Sequence, residues 1–557
     1  VMVERGVPMK DSHDKKLKDP IYGYISVPIE YVNKIIDTAP FQRLRRVIQT
    51  SFAPLYSSAV HNRFVHSMGV FHLGEMARKQ LIKEWQTSDI LKEKINNKKI
   101  QRLGNIFSLA CLLHDVGHAP FSHTGESFYL HSESGSNQNV ERYSNIHSLL
   151  IDEVGSKTFS SDVRRRTSYA APHEIVSAYV GLKEYGEFFQ QKQDREFFAR
   201  CITGYLYSDK TKSLENCFIS ILNSNMIDVD KLDYLVRDAY ITGFDTVRID
   251  YERLLNSITL YYDEKENLFK IAYYKSAISI IENVIYAHDA EKKWIQTHPI
   301  VLYDGYLLNH IIQELNSKFD KELFSVKAIS REGDIYSDKT GRQVHIRLLC
   351  DDDIIFLSKS LLNDSLVDEY FERNTRRHPL WKSEAEYNAY IKGELEGPTL
   401  DKVKNAIKIM LDSLEGKKVY VINEDYISEI ENEINLLEDK EKILDKETYE
   451  AQISGKSQIL CLCRGLKKFA EENNITPDFV FLKTSQFNSG FGKADFSDIS
   501  IVFNKNGTRI LKKFKEVIPT LNFSNDKKDY YYIYSKEAHK ISGTDKNIYS
   551  YLLKELL

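Results

Sequence analysis

Cys111-Leu112-Leu113-His114-Asp115-Val116-Gly117-His118-Ala119-Pro120-Phe121-Ser122-His123-Thr124-Gly125-Glu126 is the stretch from which the rest of the chain is read. The apolar run Ile106 to Leu113 predicts a buried helix that ends in an adjacent His-Asp pair. Gly117 and Pro120 then break the helix and turn the chain. His118 and His123 follow within nine residues of the pair. Neutral imidazoles and carboxylates are standard ligands of divalent metals, and neighbouring imidazoles also carry protons. Six of the sixteen histidines fall between His61 and His123, three times what an even scatter would place there.

A His-Asp dipeptide alone says little, since His13-Asp14 and His288-Asp289 occur as well. The company of His114-Asp115 sets it apart. Upstream, His61-Asn62-Arg63-Phe64-Val65-His66-Ser67-Met68-Gly69 opens a long amphipathic helix. There Arg63 and His66, three apart, share a face. Downstream lies Ile227-Asp228-Val229-Asp230-Lys231-Leu232-Asp233-Tyr234-Leu235-Val236-Arg237-Asp238, where Asp230, Tyr234 and Arg237 or Asp238 recur at helical spacing. A His, a His-Asp and a distant Asp supply two imidazoles and two carboxylates from three helices. Such a set suits Mn, Mg, Fe, Co, Ni or Zn and leaves coordination positions open.

With 557 residues and a formal net charge of −4, the chain has room for two or more domains and no global basic excess that would point to nucleic acid. The six cysteines are scattered, and Cys461-Leu462-Cys463 lacks a second pair at zinc-finger spacing, so core thiols are expected. No leader pattern and no apolar run long enough for a bilayer are seen, and the expectation is a cytoplasmic protein without a membrane partner.

Residues 1–20 read as a polar lead-in, loose or only partly ordered, and 21–320 as a helical core. Asp37-Thr38-Ala39-Pro40-Phe41 reads as a cap and helix start, followed by Gln42-Arg43-Leu44-Arg45-Arg46, whose arginines read more readily as a solvated face than as phosphate ligands. Residues 126–170 read as an irregular insertion near the site; Arg164-Arg165-Arg166 there is either an anion contact or, as favoured, a solvated loop. Pro172-His173-Glu174 restarts a helix. Ile258–Tyr262 and Leu268–Tyr274 alternate as a β-hairpin among helices. A smaller α+β extension is expected over 321–396, and an α+β region over 397–557 with strands at 479–482, 499–503 and 530–534 and a helix near 509–517. No internal repeat and no glycine-rich nucleotide loop is present.

These motifs resemble the HD superfamily of metal-dependent phosphohydrolases, and within it the deoxynucleoside-triphosphate triphosphohydrolase branch. The ordered set is Asp37-Thr38…Phe41-Gln42-Arg43-Leu44-Arg45…Gln49, His61-Asn62-Arg63-Phe64…His66, His114 to His123, His173-Glu174 and Asp228 to Asp238. Asp351-Asp352-Asp353 and Arg373…Pro379-Leu380-Trp381 are later landmarks. The resemblance implies a mainly α fold: an HD-domain helical core with the inserted hairpin, plus the smaller C-terminal α+β region. It implies His66, His114, Asp115 and Asp230 as metal ligands. It further implies His118, His123 and His173 along the triphosphate, with Glu126 orienting His123. Arg63 and Lys231 would hold phosphate oxygens, Tyr234 would flank the nucleotide, and Gln49 and Asp238 would contact the sugar.

The implied reaction is attack of metal-activated water on the α-phosphorus of a dNTP, giving deoxynucleoside and triphosphate, with His123 as general acid. A nucleotide activator and assembly into a homo-oligomer, tetramer or hexamer, are also implied. The chain departs from the pattern at Thr50-Ser51, where relatives carry Leu-Gly, and at Gln296-Thr297-His298-Pro299, so sugar and base selection stay open. His147 competes with His173 for its role. Two other readings remain: an HD phosphodiesterase or nucleotidase acting on other nucleotides or nucleic-acid ends, and a non-catalytic nucleotide-binding regulator.

Overall fold

The helix that delivers His114 runs from Asn97 to Leu113. Asn96 caps it by accepting from Lys99 N at 2.8 Å, and every residue from Ile106 to Leu113 is buried, Ser108 included. A helix end apolar on all sides must be surrounded by protein. Its neighbours are the helices Arg63–Thr87, Lys192–Thr203 and Ser213–Leu222, and Val229–Thr242 packs on Arg63–Thr87 in turn.

The computed structural model describes residues 14–130, 138–166, 168–244, 247–391, 395–414, 421–438, 446–485, 496, 498–505, 508–518, 529–541 and 547–557. The fold is mainly α, and its sheets have two to four strands. Among the described residues no helix is long and apolar enough to cross a membrane, and all six cysteines are free.

The chain divides into two units. The first comprises Val1–Lys292, Ile312–Leu362 and Ser489–Asn525; the second comprises Lys293–Ile311, Asn363–Asn488 and Asp526–Leu557. In the first unit the expected hairpin forms, Ile258–Asp263 pairing antiparallel with Leu268–Tyr274. Two late strands, Ser500–Lys505 and Thr508–Lys513, extend it into a four-stranded sheet, with Tyr273 beside Ile501 in the parallel pair. The second unit has its own apolar core, including Trp381, Met410, Ile430, Phe469 and Leu552. Its three-stranded sheet consists of His378–Pro379, Asp529–Ser535 and Phe479–Ser485.

Several local expectations are corrected. The lead-in, of which residues 1–13 lie outside the described residues, is ordered in part: Lys15–Asp19 pairs with Gly23–Val27 as a hairpin. Part of the stretch read as an irregular insertion is helical, as Gln138–Val154 and Lys157–Arg164. Its buried Ile146, Leu150, Val154, Phe159 and Val163 form apolar stripes obscured by polar neighbours; the polar run at 131–137 lies outside the described residues. Of the helix expected near 509–517, residues 509–513 are strand and only Phe514–Val517 is helical. Arg43 is no solvated side chain. It is buried, donating to the carbonyls of Leu349 and His118 at 2.6 Å each.

Candidate active site

Three helix ends in the first unit bring the candidate ligands together. Asn62 caps Arg63–Thr87 through Val65 N, so that Arg63 and His66 occupy its first turn. Asp228 caps Val229–Thr242 by accepting from Lys231 N at 2.8 Å, and Asp230 sits in that first turn, where a helix favours negative charge. His114 closes the third helix. His66 Nε2 lies 3.2 Å from His114 Nε2 and 3.0 Å from Asp230 Oδ1. Asp115 approaches both rings, at 3.6 Å from His66 Nε2 and 3.4 Å from His114 Nε2.

The outer nitrogens decide what this arrangement can hold. His66 Nδ1 is bonded to Asp233 at 2.8 Å and His114 Nδ1 to the Cys111 carbonyl at 3.1 Å. With those nitrogens donating, both Nε2 lone pairs face one another and two carboxylates, an arrangement that requires a shared positive charge. Burial opposes charge on His66, yet hydrogen bonds to Asp230 and Asp233 push its pKa up to about 10. Burial likewise opposes the Asp115 carboxylate, but the charges of Arg63, His114 and His66 hold it below the usual range. The four side chains therefore fit a divalent cation, by donor type and by electrostatic demand.

A second cluster adjoins the first, with His118 Nε2 3.7 Å from Asp115 Oδ1. Phe121 and Ser122 both have positive φ, 56° and 53°. That costs strain in non-glycine residues and persists only where the surroundings over-determine it. Here Phe121 N donates to Asp351 Oδ1 at 2.7 Å, while Ser122 Oγ accepts from Arg63 Nε at 2.8 Å and donates to the Ile48 carbonyl. The turn thereby presents His123 at the start of His123–Glu126, its side chain 70% exposed. On the other side, Gly117 N donates to Ser177 Oγ at 2.9 Å, docking helix Pro172–Glu184. His173 stacks on His118, with ring centroids 4.2 Å apart and planes 11° from parallel.

Glu126 Oε1 is the hub of this cluster. It lies 2.8 Å from His173 Nδ1, 2.9 Å from His123 Nδ1 and 3.3 Å from His118 Nδ1. Burial opposes its charge, but His173 and His123 hold it well below the usual carboxylate range. Burial also opposes charge on His173; the Glu126 carboxylate outweighs it, raising the pKa to about 9. His118 is driven the other way, well below its ordinary value, by burial and the positive charge of Arg63 and His173. Two stacked imidazoles thus differ in charge at neutral pH.

The remaining residues expected at the site are placed less uniformly. Arg63 Nη1 donates to Asp115 Oδ2 at 2.7 Å and Nη2 to the Gln49 carbonyl at 3.3 Å, so it braces a candidate ligand. Lys231 Nζ is engaged by Asp228 and by the Ser224 carbonyl, both at 2.5 Å. Gln49 and Asp238 converge through His61, which accepts from Gln49 N at 2.9 Å and faces Asp238 Oδ1 at 2.6 Å. Tyr234 shares a helix face with Asp230 one turn away, and burial raises its phenol pKa well above the ordinary value. His147 is elsewhere, buried and bonded to Tyr205 Oη at 2.8 Å; the geometry brings His173 to Glu126 instead. His61, Asp233 and Asp351 all stand inside motifs legible in the sequence, but none was assigned a role there, because their partners lie far away in the chain.

No protein-family model matches the chain. It is similar to the deoxynucleoside triphosphate triphosphohydrolase SAMHD1 homolog of Dictyostelium discoideum, 31% identical over 292 residues, 50% of this chain and 47% of that protein. A relative from Acanthamoeba polyphaga mimivirus with HD domain in its name is 26% identical over 305 residues, 54% of this chain and 57% of that one. The chain is thus similar to proteins that carry HD-domain and deoxynucleoside triphosphate triphosphohydrolase names. It spans about half the length of these curated relatives. The crystal structure of a hypothetical protein from Aquifex aeolicus is similar in fold, with a TM-score of 0.52 over 98% of this chain and all of that one at 20% identity.

Proposed function

We propose that this HD-domain chain is a metal-dependent hydrolase that cuts dNTPs into deoxynucleoside and inorganic triphosphate. The observation that carries the reading is the adjacency of the two clusters: His66, His114 and Asp230, with Asp115 against both rings, beside His118, His123, Glu126 and His173. The name of the Dictyostelium relative supports the substrate class. A divalent cation held by the first four residues supplies a Lewis acid that offsets phosphate charge and makes water a better nucleophile near neutral pH. The second cluster does the proton work. His118, held neutral by burial, is able to accept a proton from the attacking water. His173, held protonated by Glu126, offers positive charge to the triphosphate. His123, oriented through its Nδ1 by Glu126, has Nε2 free to protonate the 5′-oxygen as its bond to the α-phosphorus breaks. Arg63 fixes Asp115, and Gln49 and Asp238 lie together on the side proposed for the sugar.

The test is incubation of the protein with Mn2+ and each dNTP and rNTP, singly and in mixtures, with all products resolved. Deoxynucleoside plus triphosphate is the expected outcome; nucleoside monophosphate with pyrophosphate, or free phosphate, would replace the reading with another HD-family phosphoester hydrolysis. Turnover seen only in mixtures would add an activating nucleotide, and light scattering under the same conditions would report a tetramer or hexamer. Asp230→Ala is expected to abolish turnover and lower bound metal, as measured by elemental analysis; full activity in that variant would sink the assignment.

A further inference from the structure

Asp233 is fully buried, and its carboxylate is saturated. Oδ2 takes His66 Nδ1 at 2.8 Å and Arg237 Nε at 2.9 Å. Oδ1 takes Tyr22 Oη at 2.7 Å and Arg237 Nη2 at 3.0 Å. Four donors fill the roughly four lone-pair positions of a carboxylate, which leaves none for a metal. Arg237 and His66 hold this carboxylate far below the usual range against the opposing effect of burial, so it remains an acceptor. Room for it is made by Gly69 one turn after His66, where an added Cβ would lie 1.8 Å from Asp233 Oδ1.

Two of the groups that hold Asp233 come from the N-terminal hairpin, far away in sequence. Tyr22 reaches it directly; burial and the Asp233 charge keep its phenol protonated and donating. Asp19 Oδ2 accepts from Arg237 Nη1 at 3.1 Å, while Asp19 Oδ1 closes the hairpin turn by accepting from Ile21 N at 2.8 Å and Tyr22 N at 3.0 Å. The Tyr22 ring is wedged edge-on against Tyr251, with centroids 5.2 Å apart. One residue thus shapes the turn and anchors the arginine that orients the carboxylate.

We propose that the N-terminal hairpin is a positioning element of the metal centre: Tyr22, and Asp19 through Arg237, lock Asp233 against His66 so that the imidazole keeps its Nδ1 proton and directs its Nε2 lone pair at the cation. Carboxylate partners of ligating histidines fix tautomer and ring orientation and raise ligand basicity, and their loss typically costs about ten- to a hundredfold in metal affinity. The inference rests on the metal reading of His66, His114, Asp115 and Asp230, and not on the identity of the nucleotide.

Co2+ is the probe, added to the metal-free full chain and followed by calorimetry and by its visible absorption, which reports coordination geometry. Asp233→Asn is expected to bind Co2+ about ten- to a hundredfold more weakly. Tyr22→Phe, which keeps the ring against Tyr251 and removes only the hydroxyl, is expected to weaken Co2+ severalfold and to shift the absorption. Asp19→Asn is expected to act in the same direction. Parent affinity and an unchanged spectrum in Tyr22→Phe and Asp233→Asn, with only the melting temperature lowered, would overturn the proposal and confine the hairpin to a structural role. A parent chain that takes up no Co2+ would overturn the metal reading itself, a distinct outcome that removes this inference with it.

Discussion

Glu126 shows how one buried carboxylate sets the charge of its neighbours. His173 is raised to about 9 by that carboxylate despite burial, whereas an unfolded histidine titrates near 6.5. The folded state therefore binds an extra proton between these values. The stability this contributes is fully present below about pH 6.5 and is lost as pH rises through about 9. Its size is up to about 3 kcal/mol. Urea unfolding from pH 6 to 10 should show this decline in the parent and a flatter profile in His173→Gln; identical profiles would remove His173 as the titrating group. The same scale shows what residue types alone convey. Histidines clustered around a His-Asp pair announce metal and proton chemistry, but which imidazole is charged depends on burial and on Glu126, both properties of the folded chain.

At the scale of elements, the site depends on a turn that accepts a helix against its backbone. A Cβ on Gly117 would lie 2.4 Å from Ser177 N and 2.5 Å from the Val176 carbonyl carbon, contacts with main chain that cannot move aside. Gly117→Ala should therefore cost about 1–3 kcal/mol by overpacking. It should also displace His173 from its stack on His118 and lower turnover severalfold. Denaturant titration and steady-state kinetics together check this; unchanged turnover with lowered stability would mean the stack is dispensable. Gly117 was legible in sequence as a breaker, but its partner was not, because Ser177 is sixty residues away and only packing brings the two together. Similarly, Asp351 heads the helix Asp351–Leu361 and accepts from Ile48 N at 2.8 Å and Phe121 N at 2.7 Å, staples that no local pattern encodes.

At the scale of the whole molecule, both clusters lie in the first unit, and the second unit has a separate apolar core. Leu462, 1% exposed within that core, gives a way to separate the two. Leu462→Ala is expected to destabilise the second unit by about 2–5 kcal/mol while Co2+ uptake by the first is unchanged. Hydrogen exchange resolved by segment, alongside calorimetric Co2+ titration, reads both effects; a matching loss of metal affinity would show that the second core supports the metal centre. The fold similarity to the Aquifex structure extends over 98% of the chain, whereas identity to the Dictyostelium relative covers half of it.

The sequence by itself determined the order of the helices, the hairpin among them and the short list of imidazoles and carboxylates available for chemistry. It could do so because helical periodicity, breakers and capping residues act over a few neighbours. It misread as irregular the stretches that form the helices Gln138–Val154 and Lys157–Arg164, and as helix the strand residues 509–513, where polar residues obscured apolar spacing or strand pairing replaced a helical pattern. Only the tertiary structure decided that His173 and not His147 joins Glu126, that Arg63 braces Asp115, and that Asp19 and Tyr22 stand behind His66. Each of these is a hydrogen bond or ion pair between segments far apart in sequence, and its partners are selected by the packing that buries them together.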